Sequence, residues 1–250
     1  MTTYVSARRE PTVEHRFYFG MAIAIAVTVF AGFARSFFLR PLFADFAAHQ
    51  TPPEFWFYAH GAIFTAWVVL FLLQASLIST GNETIHRKLG LAALALIPMM
   101  VISGVVGVLI SVRRPTGFFG VPPAAALQFA ATPIFLIAMF SSFACAGIAQ
   151  RNHPQAHKRF MLLASMCLLE PAVGRLPIDF ILNGPGFLPF VLSALYLVPL
   201  VVWDLGSQAR LHAVTLWGGL AFILSGIVRF SICQTPAWTF AVHWAAGLLG

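Results

Sequence analysis

Between Leu89 and Val112 the chain runs for 24 residues without a charged side chain. In lipid, about twenty apolar residues in α-helix cross the hydrocarbon core. Comparable runs recur along most of the chain. Only helices and closed barrels satisfy their backbone polar groups in hydrocarbon, and the alternation that marks barrel strands is absent. Charged residues make up 9% of the sequence and hydrophobic ones 59%, against roughly one quarter charged in soluble domains. No polar stretch between the runs exceeds a loop. The expectation is an all-α integral membrane protein forming a single transmembrane domain over 1–250.

Seven spans are expected, at about 17–38, 54–79, 86–111, 125–149, 157–182, 187–205 and 212–233, followed by a short amphipathic tail with Trp238, His243 and Trp244. Thr51-Pro-Pro-Glu54 reads as a capping box with proline in the first turn, and Asn183-Gly-Pro-Gly186 as a turn. Pro98, Pro133 and Pro199 are expected to kink their spans. Arg8, Arg9 and Arg16 before the first run mimic a signal peptide, but the run is long and more follow, so it reads as a retained helix. With the N-terminus inside, nine Lys and Arg fall on the inner side and six on the outer. This predicts N-in, C-out in a bacterial inner membrane. The net charge of +7 is then a topology signal rather than a nucleic-acid footprint, because no basic face is free of membrane.

Against this hydrocarbon background the polar residues are conspicuous. His86, His157 and His212 each follow a short polar loop and open an apolar run, which hints at a repeated hairpin. His86 and His157 are expected at the same depth near the inner surface, on helices that pack 8–10 Å apart. Such a pair would suit axial ligation of a haem iron, with Arg87, Lys88, Lys158 and Arg159 meeting the propionates. The bland alternative is an interfacial cluster anchoring helix ends. His60, Trp67 and Gln74 recur at seven-residue spacing near one helix face, as a cofactor site or as helix–helix hydrogen bonds. Glu170, followed by Pro171 in a span, must be protonated or paired. It reads either as a catalytic proton- or quinone-site carboxyl or as a structural hydrogen bond, and Arg175 and Asp179 form a candidate i,i+4 pair nearby. Ser103, Gly104 and Gly107 offer a small face for close packing.

Cys145, Cys167 and Cys233 lie in or at the end of apolar runs without C-x-x-C spacing and read as buried hydrophobes. The only lysines, Lys88 and Lys158, stand at helix ends, which excludes a retinal protein needing a mid-membrane lysine in its last helix. No P-loop, H-E-x-x-H or Gly-x-Ser-x-Gly motif occurs.

His60, the run His86-Arg87-Lys88-Leu89-Gly90, and His157-Lys158-Arg159-Phe160-Met161 continuing to Arg175 together resemble a large family of uncharacterised bacterial multi-pass membrane proteins. The hairpins of that family are similar to those of the transmembrane b-type cytochromes. The resemblance covers about residues 55–180. It implies that His86 and His157 match the ligands of the third and fifth helices and His60 that of the second. The fourth-helix histidine is missing, with only Gln128 and Thr132 nearby, which leaves at most one inner haem b. The leading expectation is therefore a cytochrome-like membrane redox protein with a quinone-class reductant near His60 or Glu170. The alternatives are a non-enzymatic accessory subunit of a larger membrane complex, and a small proton-coupled transporter using Glu170.

Overall fold

The computed structural model describes residues 12–48, 54–115, 117, 118, 121 and 123–248. Among them are fourteen α-helices and no strand. Helix α1 (Val13–Phe33) runs on into a π turn (Ala34–Phe38). A 3-10 turn (Arg40–Leu42) and the short α2 (Ala44–Ala48) lead to α3 (Phe55–Ser79). Then come α4 (Glu83–Gly90), α5 (Ala92–Arg113), α6 (Ala126–Phe129), α7 (Ala131–Ala149), α8 (Pro154–Met166), α9 (Leu169–Val173) and α10 (Asp179–Leu182). The chain ends with α11 (Leu188–Ala194), α12 (Leu197–Gln208), α13 (Ala213–Ile232) and α14 (Pro236–Gly247).

Most of the short helices are halves of longer ones, and proline explains the breaks. Proline has no N–H to give the carbonyl four residues back, and its ring crowds that carbonyl. Pro133 stands four residues after Phe129, where α6 ends. Pro171 stands four after Cys167, which caps α8, and Pro199 four after Leu195, which caps α11. Pro98 lies inside α5.

Six helical stretches are long and apolar enough to cross a membrane: Val13–Phe38, Phe55–Ser79, Glu83–Arg113, Ala126–Ala149, Leu188–Gln208 and Ala213–Ile232. Their outward faces carry exposed Val27, Ile102, Val202, Leu224 and Ile227, as a lipid-contacting surface should. The chain is a multi-pass membrane protein. The span expected at 157–182 is instead divided among α8, α9 and α10. Pro171 interrupts it, and Pro177, which disfavours helical geometry at the residue before it, lies between α9 and α10. The expected capping box falls largely on residues 51–53, outside the described residues. Glu54 caps α3 through its backbone position, and its side chain pairs with Arg114 at 3.4 Å.

The divided segment is the centre of the molecule. Leu162, Leu163, Ala164, Met166, Leu169 and Ala172 are entirely enclosed, and α1, α3, α7, α11 and α13 pack around α8 and α9. Small residues permit this. A Cβ at Gly32 of α1 would fall on the Ala172 carbonyl, and one at Gly218 of α13 would lie 2.5 Å from Leu163. Gly104 meets Ile137 in the same way, and it is buried with Ser103 and Gly107. The tail forms α14, which lies across α5 and α6. Its Trp238 donates through Nε1 to the Leu127 carbonyl at 2.9 Å, and Arg113 reaches the Ala246 carbonyl.

Candidate functional site

The loops at 80–82 and 150–153 bring the starts of α4 and α8 to the same end of the bundle, and there the His86 and His157 rings meet. Their centroids are 6.3 Å apart and their planes nearly perpendicular, at 88°. His157 Nδ1 lies 2.7 Å from the Gly147 carbonyl across the α7–α8 hairpin. A carbonyl accepts only, so Nδ1 carries the proton and Nε2 is the free nitrogen. His86 Nδ1 is buried without a partner, as are both side-chain amide atoms of Gln74. Gln74 sits beside α4, its amide nitrogen 3.6 Å from where a Cβ on Gly90 would stand.

Three of the four basic residues expected around this pair, Arg87, Lys158 and Arg159, are engaged elsewhere. Arg87 pairs with Glu83 at 3.1 Å on the open surface. Lys158 pairs with Glu14 and lies over the Tyr18 ring. Arg159 is wholly buried and bonded to Asp204, and its Nη1 donates to the backbone and side-chain oxygens of Gln155. Asp204 Oδ2 also accepts from the His212 backbone N–H at 3.0 Å. His212 itself caps α13 through Nδ1, which accepts from Val214 N–H at 3.1 Å. The third loop-end histidine is thus a helix cap rather than a partner of the other two. This polar knot ties α1, α8, α12 and α13 together.

The stripe expected on α3 divides among three neighbours. Trp67 is buried, donates to Ser165 Oγ at 3.2 Å and meets Phe140 edge-on, so it serves packing. Gln74 lies by α4. His60 lies near the opposite end with its ring 4.2 Å from Phe64.

Glu170 is resolved as paired. Both carboxylate oxygens accept from Arg229 Nη2 at 2.6 Å, and that guanidinium lies 5.0 Å from both the Phe190 and Phe230 ring centres. Arg175 donates to the Pro171 carbonyl at 2.7 Å.

Asp204 and Arg229 were not singled out from the sequence. The signal that marks Glu170 marks them as well, since each is a lone charge in an apolar run. Among the described residues, no three or more His, Cys, Asp and Glu side chains gather as a metal site. The chain matches no family model, and comparisons with curated proteins and with solved structures also found no match.

Proposed function

We propose that this is a seven-crossing, N-in, C-out protein of the bacterial inner membrane that holds one b-type haem between His86 and His157 and serves electron transfer with a lipid-soluble quinol. Residues 154–173 would make the additional crossing. Twenty residues at helical rise reach about 30 Å, and a segment sheathed by five helices has no need of an apolar surface toward lipid.

The histidine pair carries this reading. The two imidazoles stand 6.3 Å apart, centre to centre, at one end of the bundle, so both would be at hand to hold one iron. The Gly147 carbonyl fixes the tautomer of His157 and leaves Nε2 to ligate, the kind of outer partner that metal-bound histidines ordinarily have. The partnerless His86 Nδ1 and Gln74 amide are the buried polar atoms expected beside a group that completes the site. Bound there, a haem supplies a one-electron carrier. The chain supplies two imidazoles and a tertiary scaffold to orient them. Lys88 remains as a cation for a propionate, whereas Arg159 is committed to Asp204.

The protein purified in mild detergent should show a Soret band with sharp reduced α and β bands. His86→Ala and His157→Ala should each abolish them while leaving the protein folded. A colourless preparation with no haem by pyridine haemochrome assay would end this reading.

An accessory role in a larger membrane complex is the second reading. The buried acids Glu170 and Asp204 are each neutralised by an arginine. That favours a static bundle over proton-coupled transport. It predicts co-purification with a larger complex and no cofactor of its own.

A further inference from the structure

The two hairpins that present His86 and His157 end their first helices differently. After α3, Gly81 stands in the left-handed region at φ 75°. The chain therefore turns back on the helix. Asn82 N–H donates to the Leu77 carbonyl at 2.7 Å, and Gly81 N–H to the Ile78 carbonyl at 3.1 Å. Loop amides thus satisfy carbonyls that the end of a helix leaves free. Leu77 is the third residue from the end of α3, and Gly147 holds the same place in α7. At the end of α7 only half of this arrangement forms. Arg151, at the position of Gly81, has no left-handed backbone. Its N–H goes to the Ile148 carbonyl at 3.2 Å, and among the described residues no loop N–H is bonded to the Gly147 carbonyl. His157 Nδ1 takes that place, at 2.7 Å.

Gly147 also sets how near α8 comes. A Cβ there would lie 2.7 Å from Met161 Sγ and 3.3 Å from the Phe160 Cβ. Met161 is one helical turn beyond His157, so the contact that keeps the hairpin tight lies directly below the imidazole. The pair is unequal as a result. The carbonyl holds His157 with its proton on Nδ1 and its lone pair on Nε2. The matching carbonyl of the other hairpin, Leu77, is already taken by Asn82, and His86 Nδ1 is buried without a partner.

We propose that Gly147 is a positioning residue for the histidine pair, and that the incomplete cap of α7 makes His157 the preset ligand while His86 adapts to what is bound. This rests on the ligand role proposed above for the two histidines.

The test uses the full chain with isotope-labelled histidine in phosphatidylcholine nanodiscs. Ring-nitrogen NMR is recorded at about pH 8, where an ordinary imidazole is neutral, before and after titration with haemin. The signal lost in His157→Ala identifies that residue. In the unaltered chain it should show one tautomer, protonated at Nδ1. Arg151→Gly supplies the glycine that the α7 cap lacks and lets a loop amide take the Gly147 carbonyl. His157 should then shift to the tautomer mixture of a free imidazole, with the unfolding temperature unchanged or raised. Half-saturation with haemin should rise about tenfold or more, as loss of an outer partner does at metal sites. Gly147→Val should cause the same two losses by pressing on Met161, and Met161→Ala added to it should recover part of both. A tautomer mixture at His157 in the unaltered chain, an unchanged His157 signal in Arg151→Gly, or a lowered unfolding temperature there in place of the signal shift would each overturn the assignment. A chain that takes up no haemin would sink the haem reading, and the NMR results would still decide the role of Gly147.

Discussion

Arg159 on α8 and Asp204 on α12 are both wholly buried and bonded to one another, Arg159 Nε donating to Asp204 Oδ1 at 3.2 Å. Removing one partner of such a pair leaves an uncompensated buried charge, which costs about 3–5 kcal/mol, whereas replacing both by apolar groups of similar size is often nearly neutral. Arg159→Met and Asp204→Leu should each lower the thermal unfolding temperature sharply in nanodiscs. The double variant should recover most of the loss. Additive losses would mean that the two residues act separately.

The Glu170–Arg229 pair makes the same kind of prediction with a functional edge. Glu170→Gln removes the charge that balances buried Arg229 and leaves one amide oxygen to accept from it, so stability should fall by about 3 kcal/mol, and Arg229→Met added to it should restore much of that. A Glu170→Gln protein of unchanged stability would return the carboxyl to the list of candidate proton carriers.

Gly32 meets the backbone of Ala172, which no rotamer change can move aside. Gly32→Ala should therefore separate α1 from α9 and cost at least the roughly 1–3 kcal/mol typical of overpacking. Gly20→Ala on the same helix meets nothing within 4 Å and serves as the control. It should be neutral or slightly stabilising, since glycine is the poorer helix former. Equal effects from the two would refute close packing at Gly32. The readout is the unfolding temperature of each variant.

His212 caps α13 as a neutral acceptor, and burial, then the nearby Arg159 charge, hold its pKa below the ordinary histidine value. Lys158 and Arg210 add to the depression and Asp204 opposes it. For a depressed pKa the stabilisation is complete above the unfolded value near 6.5 and is lost as pH falls from there through the folded value. Unfolding temperature should thus drop on going from pH 8 to pH 5. Part of that drop should vanish in His212→Asn, which can cap without titrating. Identical pH profiles for the two proteins would exclude His212 as a contributor.

Six apolar runs announce their helices directly, because long, nearly uncharged runs admit few other structures in lipid. The segment after His157 was harder to read. Its length suggests one span, but Pro171 and Pro177 divide it, and its outer surface is protein rather than lipid. The meeting of His86 and His157 followed from hairpin geometry, since both follow short loops on one side. The partners of Glu170 and Arg159 did not follow from spacing. They lie 59 and 45 residues away along the chain, and only the packing of α12 and α13 against the centre supplies them. For the same reason Arg159 and Arg229 should be withdrawn from a tally of loop charges. Eight against five then remain, and the sign of the bias is unchanged.

The central segment also constrains the order of events during synthesis. In the proposed seven-crossing arrangement, Glu170 would enter the membrane before Arg229 is made, and Arg159, near the start of α8, would be placed before Asp204 is made. An ionised side chain at the middle of a lone helix raises the insertion cost by about 2.5–3.5 kcal/mol. On that arrangement the segment from Pro154 to Val173 would depend on its hairpin with α7 until the last third of the chain arrives to neutralise it. A chain truncated before α12 would leave both charges stranded, and it should be cleared by membrane quality control rather than persist as a smaller bundle.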